Sequence, residues 1–198
     1  MIELIIVLVC AYLIGSIPTG YIVVKLAKNE DIRKIGSGST GATNVKRVMG
    51  KKWFFIVLLL DAFKGALPVL LAEIFATRFT AIGLLPVVAA IAVILGHSKS
   101  IFLGFTGGKS VASGVGTIIA LNWVVGLIIA IIWSMITYIS KYVSLGSIIA
   151  LAIAPFVMYL SEKPIAYVAY CAICAIYVIY LHRQNIIRLL NGTESKVR

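Results

Sequence analysis

Long apolar runs dominate this chain and leave only short polar stretches between them. The apolar runs span residues 2–27, 54–76, 80–96, 111–121, 123–139, 143–160 and 165–181. Most of them approach the ~20 residues that an α-helix needs to cross the hydrocarbon core of a bilayer, and only 111–121 is clearly short. The pattern predicts an all-α fold, a polytopic integral membrane helical bundle.

Three polar stretches, here called the first, second and third clusters, each combine glycine with cations or amides. They are GSGSTGATNVKR at 36–47, GHSKSIFLGFTGGKS at 96–110 and HRQNIIRLLNGTE at 182–194. A Gly/Ser/Thr-rich segment between helices can be a flexible linker and nothing more. The recurrence of one chemistry three times in so apolar a chain instead indicates parts of a single site.

The number of crossings follows from placing all three clusters in one compartment, since an even number must then separate the second from the third. One helix over 111–139 gives three crossings, whereas a break at Asn122 gives four. The prediction is therefore seven transmembrane helices, with five as the alternative if some segments are re-entrant.

Composition agrees with a membrane protein and narrows the choice of partners. Of 198 residues, 61% are hydrophobic and 13% are charged, with a mean hydropathy of +1.06, which is too few charges for a water-facing surface. The length suits a single membrane-embedded domain over 1–198. The net charge of +11 comes from cations in short loops, without the aromatic-studded basic face of a nucleic-acid binder, so no nucleic acid is expected.

The distribution of Lys and Arg predicts the orientation, because cations near helix ends accumulate on the cytoplasmic side. Most of the cations in the polar stretches fall on one side of the predicted bundle, and only Arg78 and Lys163 fall on the opposite side. The N-terminus is therefore expected outside and the C-terminus inside, with all three clusters cytoplasmic. The cations expected on the cytoplasmic side are Lys28, Arg33, Lys34, Lys46, Arg47, Lys51, Lys52, Lys99, Lys109, Lys141, Arg183, Arg188, Lys196 and Arg198.

Small residues and proline predict irregular or closely packed helices. The first run, too long for a signal-peptide core, should be a retained helix that bends where a proline removes a backbone donor. Gly114 and Gly116 permit close helix approach or a wider cavity. The residues expected to bend the first helix are Gly15, Ser16, Pro18 and Gly20.

Two charges lie inside the second apolar run. Asp61 and Lys64 are three residues apart on one helix face, and Asp61 is ~12 Å along the helix from Trp53. Charges at that depth need partners, and an intramembrane ionisable pair is a functional candidate. An ion pair that locks helices together is the alternative interpretation.

The first cluster has the chemistry of a phosphate cradle. Its glycines let successive N–H groups converge on an anion, its hydroxyls can donate, and Arg47 can close the site with a bidentate fork. Neither cluster matches a nucleotide-binding phosphate loop, since Ala42 takes the lysine position in the first cluster and Leu103 replaces the first glycine in the second.

His97 and His182 are the only histidines, and both lie at predicted inner ends of helices. Each is a candidate base or phosphate donor, with a hydrogen bond to helix-end backbone as the alternative. Spacing typical of zinc or of a serine triad is absent from the sequence. Cys171 and Cys174 share a helix face without further ligands, so packing is expected, and neither metal nor cofactor is predicted.

The clusters resemble the three signature motifs of the PlsY family, the bacterial acyl-phosphate:glycerol-3-phosphate acyltransferases. The resemblance extends from the bent first helix through LDAFKG at 60–65 and YVSLGS at 142–147 to HRQNIIRLLNG. It implies seven helices in the bacterial cytoplasmic membrane, acyl phosphate and glycerol 3-phosphate as substrates, and contact with membrane lipids. It also implies a functional link to a soluble enzyme that produces acyl phosphate, and no cofactor.

Residue by residue, the resemblance implies catalytic positions and phosphate-binding positions. The catalytic set is Arg47, Lys109, His182 and Asn185, and the phosphate-binding set is Ser37, Gly41, Thr43, Asn44, His97, Gly107, Gly108, Ser144, Arg183 and Arg188. The chain departs from the usual family pattern at Ser39 for Asn, Ser100 for Pro, Thr106 for Lys and Ser110 for Gly.

The implied reaction transfers a fatty acyl group to the sn-1 hydroxyl of glycerol 3-phosphate and gives lysophosphatidate and phosphate. Acyl phosphate is already activated, so positioning and charge stabilisation are the enzyme's main tasks. The base is either His182 or a substrate phosphate. Two other classes fit parts of the sequence: a transporter of an organic phosphate, though no repeat is evident, and a structural membrane subunit.

Overall fold

The computed structural model describes residues 2–76 and 84–197, and every regular element within these ranges is helical. Two short 3₁₀ turns are present: Ile32–Lys34 precedes the first cluster, and Ile101–Leu103 lies in the second. The all-α prediction is confirmed. The α-helices are α1 Ile2–Ser16, α2 Thr19–Lys28, α3 Ala42–Met49, α4 Lys51–Ala76, α5 Leu84–Ser98, α6 Val111–Leu121, α7 Trp123–Ser140, α8 Val143–Leu160, α9 Ile165–Leu181 and α10 Arg183–Leu190.

Four helical segments in the described ranges are long and apolar enough to cross a membrane: Leu4–Lys28, Lys51–Phe75, Trp123–Ser140 and Val143–Leu160. Ile165–Leu181 becomes a fifth if it is taken with Arg183–Leu190, from which a 60° bend separates it. Leu84–Ser98 and Val111–Leu121 are shorter apolar helices. The helices follow the predicted runs closely, while residues 80–83 and Arg78 lie outside the described residues.

Two helices lie inside segments that the sequence suggested were loops. α3 carries the second half of the first cluster, and α10 carries most of the third. Both are short and amphipathic, with Val45 buried on α3 and Asn185 buried on α10. Neither helix was predicted, because long apolar runs were the signal used and an amphipathic helix of eight residues contains no such run.

The chain forms two compact units, residues 1–117 and 118–198. In the first unit, the backbones of α1 and α5 are in direct contact at Gly15 and Gly96. A Cβ on either glycine would overlap the backbone of the other helix. Gly116 approaches Ala62 of α4 in the same way, and Gly65 approaches Ser113 of α6. The close-approach interpretation of Gly116 is therefore the one the structure supports.

The first membrane span breaks between α1 and α2, at Ile17 and Pro18. Proline supplies no N–H to continue the helical hydrogen bonds, and this is the physical reason for the predicted bend. Thr19 N donates to Ile17 O at 3.0 Å, and Lys64 Nζ of α4 donates to the same carbonyl at 2.7 Å.

In the second unit, α7, α8 and α9 pack in sequence. Asn122 separates α6 from α7 as predicted, because its Oδ1 accepts hydrogen bonds from Val124 N at 3.0 Å and Val125 N at 3.3 Å and so caps α7. Trp133 Nε1 donates to Ser147 Oγ at 3.1 Å, which joins α7 to α8 inside the apolar layer. The side chains of Cys171 and Cys174 are buried free thiols, in agreement with packing.

Candidate functional site

The first cluster, the second cluster and Lys64 all contact the first span near its break. The first cluster packs on it through Thr40, whose carbonyl lies where a Cβ on Gly20 would be. The second cluster is attached one turn earlier, where Ser100 Oγ donates to Ser16 O at 2.5 Å. Lys64 reaches the carbonyl between them. Both clusters therefore contact the chain within a few residues of this break, the second cluster at the end of α1 and the first at the beginning of α2.

Asn44 fixes the shape of the first cluster from beneath. Its side chain is buried, and its Nδ2 donates to Ile35 O and Ser39 O, each at 2.9 Å, with Ile32 O at 3.3 Å. Its Oδ1 accepts from Ser37 N at 3.0 Å. Both amide hydrogens are thus engaged by the backbone of the cluster. Asn44 organises the predicted phosphate loop and has no N–H left to give a phosphate.

The beginning of α3 is suited to bind an anion. Gly41 occupies the N-cap position without a side-chain cap, and its own N–H bonds to Ser39 Oγ at 3.3 Å. Among the described residues, the N–H groups of Ala42 and Thr43 have no hydrogen-bond acceptor. Unsatisfied N–H groups and the helix dipole together favour negative charge at such an end.

Two arginines near the first cluster have different surroundings. Arg33 is engaged by Asp31, with Nη2 2.7 Å from Oδ2, and stacks over Tyr21. The hydrogen bond from Arg33 lowers the pKa of Asp31 to about 2. Arg47 is exposed, and the described part of the chain gives it no hydrogen bond or ion pair. Of the two, Arg47 is available to a ligand.

The second cluster folds back on His97. Gly108 N donates to His97 O at 3.1 Å. A Cβ on Gly108 would overlap the His97 ring, and one on Gly107 would overlap the His97 carbonyl. Packing against His97 therefore demands glycine at both positions. Lys109, which is half-buried, is the next residue along.

Two departures from the family pattern have structural consequences in this cluster. Ser100 is buried, and the hydroxyl that it donates to Ser16 O is one that proline lacks. Ser110 adopts a left-handed conformation with φ of 59°, which suits glycine better, and donates Oγ to Ile94 O at 2.9 Å. Both serines therefore tie the second cluster to neighbouring backbone through their hydroxyls, and Ser110 does so with a strained backbone.

The intramembrane pair of the second span lies behind His97. Lys64 Nζ is 2.8 Å from Asp61 Oδ1, and both side chains are buried. The same carboxylate oxygen is 3.8 Å from His97 Nδ1, and that nitrogen is 3.0 Å from Ser113 Oγ. These contacts join α4 to α1, α5 and α6, which supports the locking interpretation of the pair.

In the second unit, His182 occupies the bend between α9 and α10. Its Nδ1 is 2.8 Å from Val178 O. A carbonyl only accepts, so Nδ1 carries the proton and Nε2 is the accepting nitrogen of the neutral ring. The backbone hydrogen bond weighed for His182 is present, and it sets a tautomer that can take up a proton.

Glu194 accepts hydrogen bonds from three polar side chains of this unit. Its Oε1 accepts from Asn185 Nδ2 at 2.6 Å and Ser144 Oγ at 2.8 Å, and its Oε2 accepts from Arg188 Nε at 2.7 Å. Burial alone would raise the pKa of Glu194, but these hydrogen bonds and the Arg188 charge outweigh it and lower the pKa. The carboxylate thus holds three predicted site residues together.

Sequence reasoning missed the role of Glu194, although the residue closes the third cluster. The available signal was chemical, since a single carboxylate follows a run of donors from His182 to Asn191. Arg183 stays apart from this group, because it donates to Tyr180 O at 3.3 Å and lies over the Tyr180 ring.

The predicted site residues are therefore divided between the two units. The first unit holds Ser37, Gly41, Thr43, Asn44, Arg47, His97, Gly107, Gly108 and Lys109, and the second holds Ser144, His182, Arg183, Asn185 and Arg188. Among the residues that the structure describes, His, Cys, Asp and Glu form no group of three that could hold a metal ion.

Comparison with protein families gives a match over almost the whole chain. The family described as glycerol-3-phosphate acyltransferase matches residues 5–192. A glycerol-3-phosphate acyltransferase of Trichormus variabilis is 47% identical over 96% of this chain and 90% of its own length. One from Prochlorococcus marinus is 45% identical over 98% and 97%, and one from Acholeplasma laidlawii is 38% identical over 98% and 93%.

Two solved structures are similar to this chain as well. Both are of PlsY (YgiH), described as an integral membrane glycerol 3-phosphate acyltransferase. The glycerol 3-phosphate form superposes with a TM-score of 0.92 at 36% identity and covers 99% of this chain and 96% of the other. The lysophosphatidic acid form gives a TM-score of 0.90 at 35% identity over the same shares.

Proposed function

The chain belongs to the glycerol-3-phosphate acyltransferase family, and we propose that it transfers a fatty acyl group from acyl phosphate to the sn-1 hydroxyl of glycerol 3-phosphate. The products are lysophosphatidate and inorganic phosphate. The family match over residues 5–192 supports the acyl acceptor, and the related crystal structures with glycerol 3-phosphate and lysophosphatidic acid agree with it. The reaction is the first acylation step of phospholipid synthesis.

The observation that carries the proposal is the open anion site at the start of α3. The Ala42 and Thr43 N–H groups and the exposed Arg47 are all without partners in the described chain, while Asn44 holds the loop that precedes them. A phosphate placed here receives backbone donors and a guanidinium without prior rearrangement of the loop.

The proposed reaction needs no acyl-enzyme intermediate. The sn-1 oxygen attacks the acyl carbon, the bond between that carbon and the bridging phosphate oxygen breaks, and phosphate departs with the bonding electrons. Arg47 and Lys109 stabilise the charge that develops on the carbonyl oxygen and the departing phosphate. The same cations offset the repulsion between two phosphorylated substrates, and thereby hold them in reacting distance.

The hydroxyl proton goes either to His182 or to a substrate phosphate. The Nδ1 hydrogen bond to Val178 O leaves Nε2 of His182 as an acceptor, as a general base requires. Comparing His182→Gln with the wild type over pH decides between the two bases. If His182 is the base, the variant loses the ionisation on the acid side of the kcat profile; if phosphate is, that ionisation persists.

We propose further that the chain is a single domain of seven transmembrane helices in the bacterial cytoplasmic membrane. The two short helices, Leu84–Ser98 and Val111–Leu121, would then both cross. The N-terminus lies outside, and the C-terminus and the site lie at the cytoplasmic face, where the cations accumulate. A soluble enzyme would supply acyl phosphate from that side.

The deciding experiment measures lysophosphatidate formation by the purified protein in lipid. Acyl phosphate, acyl-CoA and acyl carrier protein are offered as alternative donors together with glycerol 3-phosphate. We expect product from acyl phosphate alone, a loss of at least 100-fold in kcat/KM for Arg47→Ala, consistent with removal of a transition-state charge partner, and little change for the exposed cation control Lys52→Ala. Product from another donor alone would overturn the choice of donor.

Absence of product with every donor, from protein shown to be folded, would overturn the enzyme assignment. Uptake of labelled glycerol 3-phosphate into sealed vesicles without any acyl donor would then identify the transporter instead.

A further inference from the structure

We propose that the tip of the second cluster, residues 101–105, is embedded among lipid acyl chains. The tip exposes three large apolar side chains on one short turn: Ile101 is 47% exposed, Phe102 59% and Phe105 58%. Loops that meet water rarely present such a group. The occupant to which we commit is the acyl-chain region of the surrounding leaflet.

The first argument is depth. Ser100 Oγ is bonded to Ser16 O, and Ser16 stands at the midpoint of the span Leu4–Lys28. On the other side of the same polar network, Asp61 lies ~15 Å along α4 from Lys51. The base of the loop is therefore attached well inside two membrane spans. Lys99, at the end of α5, has a side chain long enough to reach the headgroups.

The second argument is that the tip stays close to its base. Leu103 N and Phe105 N both donate to Ser100 O, at 3.1 and 2.8 Å, and Ser100 N donates to Thr106 O at 3.3 Å. Thr106 Oγ1 donates to Leu103 O at 2.8 Å. Backbone exposed to hydrocarbon must find its partners internally, and this turn does so for the groups named.

The third argument is the conformation of Phe105. It adopts φ of 60°, beside Gly104 at 62°, and a bulky residue in this left-handed region is strained. With this backbone conformation the Phe105 side chain is 58% exposed. In lipid the ring is removed from water, which offsets the strain.

The fourth argument is continuity with the lipid-facing surface of the first unit. Leu13 and Ile17 of the first span and Leu95 of α5 are exposed beside the attachment point, as lipid-facing residues of a membrane protein are. The apolar tip extends this surface. It ends one residue before Gly107, Gly108 and Lys109, so the proposed phosphate loop lies next to acyl chains.

The test places a nitroxide label on the tip in reconstituted bilayers. Phe102→Cys and Phe105→Cys are made separately in a Cys10→Ala background, in which the buried Cys171 and Cys174 are first shown to remain unlabelled. Power saturation then compares collision of the label with oxygen, which concentrates in lipid, and with a water-soluble nickel chelate.

Two further labelled variants serve as controls. Phe63→Cys, on the exposed face of α4, is the lipid control, and Glu30→Cys, between α2 and the first 3₁₀ turn, is the water control.

Embedding predicts that both tip labels respond like Phe63→Cys, with oxygen favoured over nickel. A response like that of Glu30→Cys would place the tip in water and overturn the proposal. Low accessibility to both reagents would also overturn it, because a protein surface, such as a second copy of the chain, would then cover the tip. Labelling at two positions keeps the test decisive if one variant fails to fold.

Discussion

Glu194 holds three hydrogen-bonded partners on two oxygens, and only 6% of its side chain is exposed. Glu194→Gln should destabilise the protein by about 1–3 kcal/mol, since buried donors lose a charged acceptor. Thermal unfolding in detergent at neutral pH measures the loss. Glu162→Gln, at an exposed turn, is the matched control and should leave the midpoint unchanged.

The same carboxylate predicts a pH dependence. Its folded-state pKa lies below the ordinary value of 4.5, so the stabilisation is complete above that pH and disappears as pH falls through the lowered pKa. The difference in unfolding midpoint between wild type and Glu194→Gln should therefore be largest above pH 4.5 and shrink under more acidic conditions. A difference that grew on acidification would contradict this assignment.

Ser110 combines an unfavourable φ of 59° with a buried hydrogen bond to Ile94 O. Ser110→Ala keeps the strain and loses the bond, which should cost about 1 kcal/mol. Ser110→Gly loses the bond but relieves about 1 kcal/mol of strain, so its stability should stay near that of the wild type. Unfolding midpoints of the two variants, measured side by side, check the ranking; equal losses would show that the backbone is unstrained.

Individual residues were predictable where their chemistry is unusual for the surroundings. Arg47 and the two histidines stood out as polar groups in an apolar chain, and the structure puts them at helix ends and on an exposed helix face. The task of Asn44 was not predictable, because an amide in a glycine-rich loop can serve a ligand or the loop itself. Only the four backbone partners decide between these uses.

At the scale of elements, the broken first span is held to its neighbours by the Asp61–Lys64 pair. Lys64→Met should cost about 3–5 kcal/mol, since it leaves Asp61 as an uncompensated buried charge and Ile17 O without its donor. Asp61→Asn with Lys64→Met should cost less than the sum of the single variants, because the charges are removed together. A double-mutant cycle on unfolding free energy measures this coupling, and strict additivity would argue against the pair.

Helix packing gives a second prediction at this scale. Gly116→Ala introduces a Cβ into the backbone of Ala62 and should destabilise by about 1–3 kcal/mol. Gly41→Ala is the comparison without a backbone clash, because its Cβ would lie 3.6 Å from Ser39 Oγ at a φ of −75° that any residue adopts, so only the smaller loss from alanine at an N-cap is expected. Equal unfolding midpoints for the two variants would contradict the close approach of α4 and α6.

The long helices were predictable to within a few residues, because a continuous apolar run in lipid has no stable alternative to a helix. α3 and α10 were not, since eight polar-rich residues give no apolar run and depend on tertiary contacts for their stability. The break at Asn122 was inferred from the parity of crossings. Its physical cause, a side-chain cap on α7, is visible only in the structure.

At the scale of the whole molecule, the asymmetry of its cations predicts the topology. In the seven-helix arrangement Trp123 faces outside and Lys196 inside, and both are exposed. Trp123→Cys in the Cys10→Ala background should react with a membrane-impermeant maleimide in intact cells. Lys196→Cys should react only after permeabilisation. Trp123 would also lie outside if both short helices were re-entrant, so protection of Trp123→Cys in intact cells would instead show that only one of the two short helices crosses and would contradict the seven-helix arrangement.

The contact between Lys64 and Ile17 also bears on biogenesis. The first span emerges from the ribosome before residue 64 does, so it meets the membrane while the Ile17 carbonyl at its break still lacks the ammonium donor that the finished protein supplies. The second span then brings a positive charge into the bilayer that is neutralised by its own Asp61 and anchored by the waiting carbonyl. Insertion of the second span therefore supplies the last hydrogen bond at the break of the first span. In a nascent chain arrested before Lys64, the first span lacks this bond and so lacks its final geometry.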